Sequence, residues 1–85
     1  MPEFKALAEN VKRIRKEMNL SQIEFAVDCG ISPEILSLIE REKTNPKLST
    51  LQMIAAYTGY EVSELLKVAP EENKKELKHE KSIIA

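Results

Sequence analysis

Ser21 and Ser32 mark two helix starts in the middle of the chain, and one glycine stands between them. Ser21-Gln22-Ile23-Glu24 is a capping box: the serine hydroxyl accepts from the amide three residues on, and the glutamate there reaches back to the serine amide. Ser32-Pro33 is a serine N-cap followed by proline at the first helical position, where a missing amide hydrogen costs nothing. Gly30 provides the positive φ on which a helix ends. The pattern predicts a helix from Gln22 to about Asp28, a turn at Cys29-Gly30-Ile31, and a further helix over Pro33 to Arg41.

The flanks are helical as well. Phe4, Leu7, Val11, Ile14 and Met18 recur at helical spacing with Lys12, Arg13 and Lys16 between them, which predicts a first amphipathic helix stopping near Asn19. Thr44-Asn45-Pro46 breaks the chain, and Leu48, Leu51, Ile54, Ala55 and Thr58 describe a fourth helix ending before Gly59. Val62, Leu65 and Leu66 fit a short fifth. With no alternating strand pattern, the fold class is all-α, a five-helix bundle with short connections.

The 85 residues suffice for one domain. Residues 1–68 form that domain, and 69–85 form a charged tail with Leu77 and Ile84 widely separated, an exposed helix or a frayed end. A domain this small sits near the limit of independent folding, so association with a partner would help it. Cys29 is the one cysteine, so the chain can form neither an internal disulfide nor a thiolate metal cluster. No signal peptide or apolar run of membrane-spanning length is visible, and a cytoplasmic location is expected.

Net charge is −1, with five Lys/Arg against three acids up to Leu20 and three against seven from Ser21 to Leu66. That balance argues against attachment to nucleic acid by bulk electrostatics alone. Enzymatic activity has little support. His79 is the sole histidine and lies in the tail, and two isolated glycines cannot build a phosphate-cradling loop. No cofactor or metal is expected.

Two short helices around Cys29-Gly30-Ile31 have the proportions of a helix-turn-helix, whose second helix enters the major groove. Ile14-Arg15, Leu20-Ser21-Gln22, Ala26, Gly30-Ile31-Ser32, Leu36-Ser37, Ile39-Glu40-Arg41, Asn45-Pro46, Leu51, Ile54-Ala55 and Leu65-Leu66 give the chain more than proportion. In order and spacing, the stretch from Leu7 to Leu66 resembles the Cro and Xre-type repressor family of DNA-binding domains. The resemblance implies a five-helix repressor-like fold, a sequence-specific DNA-binding regulator, double-stranded DNA as partner, frequent homodimerisation and inverted-repeat operators.

It also implies roles. Arg15 and Glu40 correspond to a structural pair joining the first helix to the third, where a bidentate carboxylate bond would hold the reading helix. Gln22 opens the second helix, where its side chain and free amides meet a phosphate. Ser32, Pro33, Glu34, Ser37 and Leu38 face the groove, and Arg41, Lys43, Thr44 and Asn45 lie near the phosphates. Glu34 could accept from a cytosine amino group or simply favour the helix dipole, Ser37 could bond several edges, and Leu38 or Ile35 could touch thymine methyls.

Two positions depart from the family pattern. Glu42 stands where glycine is usual, so the loop is expected to take a path that avoids the left-handed region. Lys47 replaces a serine expected to cap the fourth helix, with Ser49 or Thr50 as substitutes. Homodimer contacts are expected from Tyr60, Val62, Leu66 and Val68. The alternative function is a protein-interaction adaptor or antitoxin-like regulator, for which Ile35 and Leu38 would form an exposed apolar strip.

Overall fold

The structure, a computed structural model, describes residues 2–68. It consists of α1 (Pro2–Glu17), α2 (Gln22–Cys29), α3 (Pro33–Glu40), α4 (Leu48–Thr58) and α5 (Val62–Leu65), with no strand among the described residues. The tail readings at Leu77, His79 and Ile84 lie outside the described residues. α2 runs to Cys29, one residue past the sequence expectation, and α3 stops at Glu40 with Arg41 as its cap.

One core joins all five elements. Leu7, Val11 and Ile14 of α1, Phe25, Ala26 and Cys29 of α2, Leu36 and Ile39 of α3, Leu51 and Ile54 of α4 and Leu65 of α5 are buried together. Ala26 is fully buried, and its small side chain suits the contact between α2 and α3. Phe25 meets Tyr57 edge to face with ring centroids 5.3 Å apart, and the Tyr57 hydroxyl donates to Asp28 Oδ2 at 2.9 Å. At the stripe ends, Met18 lies past the end of α1 and Leu48 opens α4, and both are exposed.

α1, α2 and α3 end alike. Each closes with an amide bonded back five residues and the preceding amide bonded back three. The bonds are Leu20 N–H to Arg15 O and Asn19 N–H to Lys16 O; Ile31 N–H to Ala26 O and Gly30 N–H to Val27 O; Lys43 N–H to Leu38 O and Glu42 N–H to Ile39 O. This is the Schellman motif, whose penultimate residue must be left-handed. Asn19 (φ 60), Gly30 (φ 86) and Glu42 (φ 60) occupy that position. The expectation that Glu42 would divert the loop is therefore wrong. Two carbonyls of α3 gain donors on this path, which offsets a strain of about 1–2 kcal/mol. At Gly30 the positive φ is what disfavours a side chain, since the one close atom a Cβ would meet, Met53 Cε at 2.9 Å, ends a flexible and exposed side chain that can shift.

The starts of α2 and α3 follow the sequence. Ser21 Oγ accepts from Glu24 N–H at 3.1 Å, Glu24 Oε1 accepts from Ser21 N–H at 2.9 Å, and Ser32 Oγ accepts from Ile35 N–H at 3.0 Å. α4 differs. Lys47 is its N-cap without a side-chain bond, and neither Ser49 nor Thr50, both inside the helix, replaces it.

Candidate nucleic-acid interface

α3 is amphipathic across its width. Leu36, Ile39 and Glu40 face inward and are buried, whereas Pro33, Glu34 and Arg41 are exposed and Ser37 and Leu38 half-buried on the opposite side. Ile35 packs against the core cluster. It is thus neither a free groove residue nor half of an exposed strip, and Leu38 alone remains of the apolar strip expected for a protein-binding adaptor. Leu38 is not among the residues packed on that cluster.

The inward end of α3 is fixed through one carboxylate. Arg15 Nε donates to Glu40 Oε2 at 2.7 Å and Arg15 Nη2 to Glu40 Oε1 at 3.0 Å, the bidentate geometry the resemblance implies. Arg15 Nη1 donates in addition to Leu20 O at 2.9 Å. Glu40 is 4% exposed, so its charge would be costly there without such partners. The hydrogen bonds with Glu40 hold the Arg15 guanidinium above its ordinary range, against the opposing effect of burial.

A third donor was not foreseen. Gln22 Nε2 donates to Glu40 Oε1 at 3.0 Å, so the first residue of α2 is tied to the last residue of α3. The other amide hydrogen and the side-chain oxygen of Gln22 make no hydrogen bond among the described residues. Gln22 therefore has a structural bond and retains a donor for a phosphate.

The remaining positions sort by commitment. Ser32 Oγ is occupied by the cap of α3, while Pro33 occupies its first helical position. Arg41 Nε leans back toward Ser37 O at 3.4 Å. Lys43 and Asn45 are exposed and Thr44 half-buried in the segment leaving α3. The structure thus brings Gln22, the outer face of α3 and the segment Arg41 to Asn45 around the two helix ends joined by Glu40.

A buried polar residue on α1 also escaped the sequence reading. Asn10 is 2% exposed, and its Nδ2 donates to Leu65 O and Lys67 O, both at 2.8 Å, and more weakly to Glu64 O at 3.4 Å. Its Oδ1 accepts from Arg13 Nη1 at 2.9 Å. The signal was present: Asn10 stands between Leu7 and Val11 on the inward stripe, where a polar side chain needs internal partners. Of the residues expected at a dimer contact, Val62 and Leu66 pack against the core, while Tyr60 and Val68 are exposed.

A helix-turn-helix family model matches residues 11–65. The chain is 38% identical over 60 residues to the immunity repressor protein of Bacillus phage phi105, covering 71% of this chain and 42% of that protein. It is also 38% identical over 60 residues to the control protein C.SmaI of Serratia marcescens, covering 71% of each. The crystal structure of the hypothetical transcription factor NHTF from Neisseria superposes with a TM-score of 0.75 at 33% identity, covering 86% of this chain and 83% of that one. The chain thus spans less than half the length of the phage repressor, and the shared part is the helical unit. With the motif, its capping pattern and the Arg15–Glu40 pair in place, the chain belongs to the Cro/Xre-type helix-turn-helix family of DNA-binding regulators.

Proposed function

We propose that this protein is a transcription regulator that inserts the outer face of α3 into the major groove of operator DNA, acting as a repressor. The observation that carries the reading is the two-sidedness of α3. Its inner face is locked by Leu36, Ile39 and the Arg15–Glu40–Gln22 contact, while Pro33, Glu34, Ser37 and Leu38 stand free of the core. A helix that reads bases must be rigidly held and outwardly available, and this one is both.

Residues 1–68 are the DNA-binding unit. Gln22 sets the register by donating to a phosphate together with the free amides at the start of α2, and Lys43, Thr44, Asn45 and Arg41 approach the backbone beyond the end of α3. Ser32, Pro33, Glu34, Ser37 and Leu38 border the base edges. Two copies bind two half-sites with reading helices one DNA turn apart, about 34 Å, and the work is done where DNA lies, in the cytoplasm. The exposed Tyr60 and Val68, with Val62 and Leu66 beside them, supply the contact between copies.

Titration of duplex DNA across salt concentrations tests the reading. Log affinity should fall linearly with log salt, by a slope of about −0.9 for each phosphate neutralised. Gln22→Ala should weaken binding to every duplex alike, whereas Ser37→Ala should alter preference at one base position. Affinity for duplex DNA that is absent, or indifferent to salt, would favour the adaptor function instead.

A further inference from the structure

The outer face of α3 carries a narrow chemistry. Most acids near it are committed: Glu40 to Arg15 and Gln22, Glu24 to the cap of α2, Asp28 to Tyr57. Glu34 is exposed and has no hydrogen-bond or ion-pair partner among the described residues. It sits in the first turn of α3, the part of a reading helix that enters the groove most deeply. The nearby Ser32 hydroxyl already accepts from Ile35 N–H, so its freedom to serve bases is reduced.

An ionised carboxylate only accepts. In the major groove two bases offer amino donors, cytosine at N4 and adenine at N6, and adenine sets its N7 acceptor beside the amino group. A carboxylate spanning N6 and N7 meets like charge density on its second oxygen, whereas cytosine presents only a C–H beside its donor. Guanine, with acceptors at O6 and N7, repels it outright. Four residues on, Leu38 lies on the same face, cannot hydrogen-bond, and matches the one apolar group of the groove, the C5 methyl of thymine. Four residues of helix advance about 6 Å against about 3.4 Å per base pair, so the two side chains address positions about two base pairs apart.

We propose that α3 reads pyrimidines, Glu34 accepting from the N4 amino group of a cytosine and Leu38 packing on the methyl of a thymine about two base pairs away. The inference rests on α3 being the DNA-reading helix and names what it reads. It also gives Glu34 a second effect, because its charge is repelled wherever a guanine or thymine acceptor takes the place of the amino group at that position, which weakens binding to unrelated DNA.

The test selects duplexes bound by the full chain from a random pool, then measures affinity for single-base changes. The enriched half-site should hold a cytosine whose replacement by thymine weakens binding about tenfold or more. Glu34→Gln should move the preference at that position from cytosine to adenine, since an amide pairs with N6 and N7 together. Replacing the thymine by deoxyuridine, which lacks only the methyl, should weaken the wild type several-fold and leave Leu38→Ala indifferent. Thermal unfolding of both variants checks that they fold. An unchanged base preference in Glu34→Gln, or a lowered melting temperature as the sole effect of Glu34→Ala, would assign Glu34 to the helix dipole and overturn the proposal. Equal affinity for thymine and deoxyuridine sites would overturn the part played by Leu38. Failure to enrich any duplex would instead remove the DNA-binding function itself.

Discussion

Glu42 holds φ at 60 because the alternative is to leave Leu38 O and Ile39 O without their amide donors. The sequence identified the misfit correctly and drew the wrong path from it, since side-chain preference at one residue is weaker than the bonds that close a helix. Glycine at this position would relieve about 1–2 kcal/mol of strain and lose part of that gain to its freer unfolded chain. Glu42→Gly is therefore expected to stabilise the fold by about 0.7 kcal/mol and raise Tm by roughly 3–5 °C in calorimetry. A lower Tm would show that the left-handed turn is not strained. Cys29 makes a second residue-scale case. Burial, then the neighbouring Asp28 charge, push its thiol up to about 11, from an ordinary value of 9.0. The protonated thiol is the form the fold accommodates, so its contribution is complete below pH 9 and is lost as pH rises through about 11. An alkylating reagent at pH 8 should leave the native thiol unmodified and label it rapidly once denaturant is added; equal rates would place the thiol in solvent.

At the scale of the element, legibility tracked the chemistry of helix ends. Ser21, Ser32 and Gly30 act through bonds to neighbours close in sequence, and α2 and α3 consequently appear within one residue of their expected bounds. α4 was legible from Leu48 to Thr58, but not the way it begins, because neither Ser49 nor Thr50 supplies the expected cap and no side chain caps the helix. Lys47 already has the extended backbone of a cap, φ −70 and ψ 156. Lys47→Ser should therefore supply the missing acceptor and stabilise the protein by about 1 kcal/mol. Chemical denaturation would read this as a higher midpoint at unchanged slope, and a midpoint that does not move would mean that water already satisfies those amides.

For the whole molecule, periodicity revealed which residues turn inward but not which polar groups meet across the core. The Arg15–Glu40 pair was accessible by resemblance. The Gln22–Glu40 bond and the clasp of Asn10 on α5 link residues distant in sequence, and only folding brings them together. α5 is four residues long and cannot persist alone, so Leu65 and the Asn10 clasp hold it to α1. Asn10→Ala would leave the buried Leu65 carbonyl unpaired and the partly buried Lys67 carbonyl without its donor, and a loss of about 1–3 kcal/mol is expected, with faster amide exchange over residues 62–68 than over α3. Uniform exchange along the chain would show that α5 is held by apolar contact alone.

Glu40 also has a consequence for how such a protein can change its target. The groups that anchor α3 and the groups we propose to meet the groove are different side chains on opposite flanks, so the outer set can be rewritten while the anchorage stays intact. Transplanting four or five outward residues from another regulator would re-address the molecule to a new operator without rebuilding its interior.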